Sequence, residues 1–154
     1  MKWFRPDTGS IPAVVAPPVS YHVKMSESRE TLHWLVKKYS NEISAKVYSE
    51  IRELEKTLKE INIFLKDHRP TASDEHMLDS IMQSYLPDAI ELFVKLPSHA
   101  KSVGGEGDKL LLKQCRTMAN DLLSRNADLH DRATKGLRTQ AAFIDDRFNE
   151  ANMT

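Results

Sequence analysis

Glu30 and His33 stand three residues apart in a stretch with helical periodicity. Helical di-metal proteins use this Glu-x-x-His pairing twice over, with further glutamates facing it. Here the pairing occurs once. The other histidines, His22, His68, His76, His99 and His130, fall mostly at expected helix ends or in loops. There, surface roles and contacts with helix termini are the usual use. No metal and no cofactor is expected. Cys115, the single thiol, lies on the apolar stripe of a helix, which points to a small buried hydrophobe rather than a nucleophile. No Gly-x-Ser-x-Gly elbow and no Gly-x-x-x-x-Gly-Lys phosphate loop is present. The run Gly104-Gly105-Glu106-Gly107 follows a helix rather than a strand, so it reads as a flexible connection rather than an anion nest. No catalytic residue is assigned, and the chain is not expected to be an enzyme.

Two basic stripes remain: Lys109, Lys113 and Arg116, and Arg132, Lys135 and Arg138. Nucleic-acid binders reinforce such stripes with a positive excess and with aromatics. The 22 Lys and Arg are balanced by 22 Asp and Glu, and Asp121, Asp128, Asp131, Asp145 and Asp146 lie close to the stripes. Solvated faces or contacts with an acidic partner are the preferred reading, and nucleic acid is argued against. No apolar run reaches the roughly 18 residues of a membrane span. Pro6, Asp7, Gly9 and Pro12 interrupt any signal-peptide core at the start. With one cysteine and no internal disulfide, a cytoplasmic protein is expected.

What must position these residues is a set of long helices. Val47, Ile51, Leu54, Leu58, Ile61 and Leu65 alternate steps of four and three, with charged residues between them. That is the seam of a helix packed along a partner. Leu32, Val36, Tyr39 and Ile43 continue it upstream, with a stutter at the four-residue step from Ile43 to Val47. Without glycine or proline between Pro18 and Pro70, one helix of about 40 residues from Ser26 is favoured over a break near Ser40. A second helix starts at Thr71 or Ser73, carries Leu78, Met82, Tyr85, Ala89, Leu92 and Leu96, is kinked by Pro87 and ends at Pro97. A third starts near Asp108 and uses Leu111, Cys115, Met118 and Leu122. Crowding of Asn126, Asp128 and Asp131 predicts a turn there. A last helix would follow from Leu129 to Asn149 on Ala133, Leu137, Ala141, Ile144 and Phe148. Unbroken, the third helix would overshoot its neighbours. The expectation is therefore an all-α, antiparallel bundle of three to four long helices over residues 26–150. Residues 1–25 hold four of the seven prolines and read as an extended, proline-rich arm.

The segment Ser84-Tyr85-Leu86-Pro87-Asp88-Ala89-Ile90-Glu91-Leu92-Phe93-Val94-Lys95-Leu96, with the later Phe143-Ile144-Asp145-Asp146-Arg147-Phe148, resembles the XpaC-like bacterial helical proteins, labelled 5-bromo-4-chloroindolyl phosphate hydrolysis proteins. The resemblance spans about residues 77–148. It implies an α-helical accessory protein of bacterial or phage origin and carries over no catalytic residue.

The expected function is non-enzymatic: binding a protein partner, or a second copy, through the arm and the upstream half of the long first helix. The residues assigned to that contact are Trp3, Phe4, Val14, Val15, Leu32, Trp34, Leu35, Val36 and Tyr39. The alternative is a small ligand- or metal-binding bundle with a pocket near the Pro87 kink, drawing on Tyr85, His33 or His76.

Overall fold

A computed structural model describes residues 20–153, and within them all regular structure is helical. Trp3, Phe4, Val14 and Val15, and with them most of the expected arm, lie outside the described residues. Helix α1 spans Tyr21–Lys38 and α2 spans Ala45–Phe64. The α3 helix spans Ala72–Ser80 and leads through a π-helical turn, Ile81–Tyr85, into α4, Leu86–Val94. A single turn, α5 at Ser98–Lys101, precedes α6, Glu106–Met153.

The expected 40-residue first helix is two helices. A 3-10 turn at Ser40–Glu42 ends the first, and Ser44 caps the second by accepting a hydrogen bond from the Val47 N–H at 3.3 Å. The break sits at the stutter, and the chain uses it to fold back. Ser26 and Arg29 of α1 meet Asn62 of α2, while His33, further along α1, meets Glu55, earlier in α2. The two helices therefore run antiparallel. Met25, Leu32 and Val36 are buried by this return, so the upstream half of the first helix is not the unpartnered surplus it was expected to be.

Tyr21 meets Asp79 and Ser28 meets Gln83, which sets α1 parallel to the α3–α4 segment. Pro87 falls in the first turn of α4, where its missing N–H costs little. The α3 helix runs into α4 through the π turn, whose Leu86 N–H donates to the Ile81 carbonyl. On α6, Arg116 faces Glu50 and His130 faces Phe64, the same offset of 66 residues at both ends of α2. Helices α2 and α6 are thus parallel and share the most extensive contact of any helix pair among the described residues. The seam Val47, Ile51, Leu54, Leu58 and Ile61 lies at the centre, each residue no more than 1% exposed.

The Ser98–Gly107 segment is a packed corner rather than a flexible connection. Gly104 has φ +82°, and a Cβ on Gly105 would come within 2.7 Å of the His99 and Ala100 carbonyl oxygens. A Gly105→Ala substitution should destabilise the fold by about 1–3 kcal/mol in urea unfolding, since backbone must move to admit it.

Candidate functional site

The turn expected at Asn126–Asp128 does not form. Helix α6 runs unbroken for 48 residues and does overshoot its neighbours. Leu129 is its last buried residue, and every residue from Asp131 to Glu150 is exposed. These 20 residues project about 30 Å beyond the helical body.

The root of the projection is fixed tightly. Thr71 and Asp74 form a reciprocal cap at the start of α3: the Thr71 N–H donates to the Asp74 carboxylate at 3.0 Å, and the Asp74 N–H donates to the Thr71 hydroxyl at 3.1 Å. The same carboxylate accepts from Arg125 at 3.2 Å and from Arg132, both on α6. Burial opposes its ionisation. The Thr71 hydrogen bonds and the two guanidiniums outweigh this and hold the Asp74 carboxyl below the usual range. Beside this clamp, Phe64 lies between His68 and His130 with ring centroids 4.0 Å away on each side.

Beyond the root, the apolar pattern of α6 does not stop. Leu111, Cys115, Ala119 and Leu122 are buried against the body at steps of four, four and three. Ala133, Leu137, Ala141 and Ile144 repeat those steps 22 residues later, and Phe148 extends them. An eleven-residue repeat advances by 3.67 residues per turn, so the second stripe continues the first on the same side, within about 40° for an ideal helix. Leu137 is 67% exposed, Ile144 41% and Phe148 67%. The face that α6 buries inside the body is presented bare beyond it.

The residues assigned from sequence fall elsewhere. Leu32 and Val36 are buried within the chain and offer a partner nothing; Leu35 and Tyr39 are half-buried against the core. Of these five residues Trp34 alone is well exposed, with the Lys37 ammonium 5.4 Å over its ring. Sequence periodicity gives the stripe on α6 a helix but places it in a core, because the expected turn would fold it back.

Several of the other candidates have partners within the chain. Glu30 and His33 line a cleft of about 310 Å³ between α1 and α2 with Arg29 and Glu55. His33 lies 3.4 Å from Glu55, which also accepts from Arg52, while Arg29 donates to the buried Asn62 at 2.8 Å. No cluster of His, Cys, Asp or Glu able to hold a metal occurs among the described residues. Pro87 borders a groove between α1 and α4, Tyr85 borders another between α4 and α6, and His76 is exposed on α3. The structure does not bring Tyr85, His33 and His76 together. Of the basic stripes, Arg116 faces Glu50, Arg132 holds Asp74, and Arg138 donates to Asp131 at 2.9 Å.

Cys115 is fully buried, and burial with the nearby Glu50 charge pushes its thiol up to about 12. It should be silent to a thiol reagent at neutral pH in the folded chain and should react fully in denaturant.

No protein-family model matches the chain, and neither a curated protein nor a solved structure does. No described helix is long and apolar enough to cross a membrane.

Proposed function

We propose that the chain is a non-enzymatic helical interaction protein, in which a bundle formed by α1 to α5 and the first half of α6 carries the second half of α6 as its binding surface. The observation that supports this most is the bare apolar stripe Leu137, Ile144 and Phe148 on a helix that projects about 30 Å. A contiguous apolar face held out in water costs free energy unless something covers it. An isolated helix of this length, interrupted by Gly136, is marginal in water, but here the buried half of α6 supplies the nucleus. A helix laid along this stripe would recognise it by residues four, four and three apart. The proline-rich residues ahead of α1, with Trp3, Phe4, Val14 and Val15, are an additional contact in this reading; residues 21–25 of the expected arm belong to α1, where Met25 is core. The resemblance to XpaC-like proteins implies an accessory role in a bacterium or phage, and the single cysteine fits a cytoplasmic one.

The test is affinity capture from host extract, with the intact chain beside a Leu137→Glu/Phe148→Glu variant. Both positions are exposed, so the variant should fold as the intact chain does. A stoichiometric protein retained by the first and lost by the second supports the reading. Equal retention by both, or none by either with the chain monomeric, contradicts it.

A further inference from the structure

We infer that the projecting half of α6 pairs antiparallel with the same segment of a second copy of this chain. The inference rests on the reading of this segment as a binding surface and identifies its occupant. Three observations point to a second copy and to that direction.

The stripe is nearly symmetric about its own midpoint. With Leu137 of one copy opposite Ile144 of the other, Ala133 lies opposite Phe148 and Ala141 falls beside the axis. Small residues thereby receive the large ring at both ends, the complementarity that close helix pairing needs. In this register Glu150 of each helix is level with Asp131 of the other, at the root of the partner's projection.

The charges agree with the same direction. Residues 131–138 carry three cations and one anion, whereas residues 143–150 carry three carboxylates and one cation. Antiparallel pairing sets each basic half beside an acidic half. Arg138 and Asp145 are seven residues apart on one flank of the stripe, so each Arg138 comes beside Asp145 of the second copy.

Steric shape excludes the parallel arrangement. The bare stripe lies on the side of α6 that carries the body, as the 22-residue repeat shows. A parallel second helix would bring its own body to the place the first body occupies. An antiparallel one puts the two bodies at opposite ends of a two-helix neck. Sixteen paired residues from each copy bury about 1,200 Å² in all, the lower end of specific interfaces, which suits a reversible dimer.

Sedimentation velocity of the full-length chain from about 1 to 100 µM tests this. A monomer–dimer equilibrium is expected. Leu137→Glu and Phe148→Glu should each raise the dissociation constant at least about tenfold. Arg138→Glu and Asp145→Arg should each weaken the dimer, and the two together should restore it. Under mild oxidation an Ala141→Cys variant should cross-link to itself while Ala133→Cys does not; Cys115, being buried, does not compete. A chain monomeric at the highest concentration overturns self-pairing and leaves a different protein as occupant of the stripe. Equal cross-linking of Ala133→Cys overturns the antiparallel direction. A dimer indifferent to Leu137→Glu and Phe148→Glu overturns both this inference and the surface on which it rests.

Discussion

Replacing Asp74 with alanine should lower the stability of the chain by about 3–5 kcal/mol, measured by urea unfolding at neutral pH. Asp74 is 3% exposed and serves two purposes at once. It completes the cap of α3, and it is the anion shared by Arg125 and Arg132 of α6. Removing it loses the cap, worth about 1 kcal/mol. It also leaves Arg125, whose side chain is only 18% exposed, with Asp121 of its own helix, at 3.4 Å, as its remaining ion pair. Asp74→Asn should cost less, because the amide oxygen can still accept.

Acid should reproduce part of the effect. The folded chain holds the Asp74 carboxyl below its ordinary range, so the unfolded chain binds this proton more readily. The contribution is complete above the unfolded carboxyl value of about 4 and is lost as pH falls through the lower folded one. Stability should therefore decline below about pH 4, and the decline should be shallower in Asp74→Asn. An acid limb identical in the two proteins would show that Asp74 is not held as described.

The second large effect contrasts two leucines that sequence periodicity treats alike. Leu54→Ala should cost about 3 kcal/mol, because Leu54 is fully buried in the central seam and its removal leaves a cavity. Leu137→Ala should change the stability of the dilute chain by no more than about 0.5 kcal/mol, because Leu137 is 67% exposed. Thermal unfolding at low micromolar concentration separates them, since association would otherwise add to the apparent stability. A loss above 2 kcal/mol for Leu137→Ala would mean that the projecting segment folds onto the body, as the expected turn at Asn126 would have it.

The all-α class and the central seam were legible because a four-and-three alternation over 19 residues has few other uses. Thr71 was legible as one of two candidate caps, with Ser73, ahead of the acidic pair Asp74-Glu75; the reciprocal bond from Asp74 is what the structure adds. Pro87 was legible as a disturbance, though not as a π turn.

Two long-range facts were not legible. At Ser40–Ser44 the sequence offers two serines and an asparagine without glycine or proline, and the stutter alone did not decide between a wound helix and a fold-back. Ser44 decides it by capping α2. At Asn126–Asp128 polar crowding suggested a turn, but Arg125 and Arg132 spend their charge on Asp74, and Leu129 is buried one turn further on. Tertiary contacts override local preference there. The consequence reaches the surface: a break at 126 with continuity at 40 leaves spare helix upstream of Ile43, whereas the fold leaves it beyond Leu129. Leu32 and Val36 became core, and Leu137, Ile144 and Phe148 became surface.

In the proposed arrangement α6 has two roles, with residues 106–129 holding the body and residues 131–150 pairing. Hydrogen–deuterium exchange along α6, followed at low and at high protein concentration, tests it most directly. Amides of 111–129 should exchange slowly at both concentrations. Amides of 133–148 should exchange fast when dilute and become protected as concentration rises. Protection of 133–148 that is strong and independent of concentration would contradict the account, because the stripe would then be covered within a single chain.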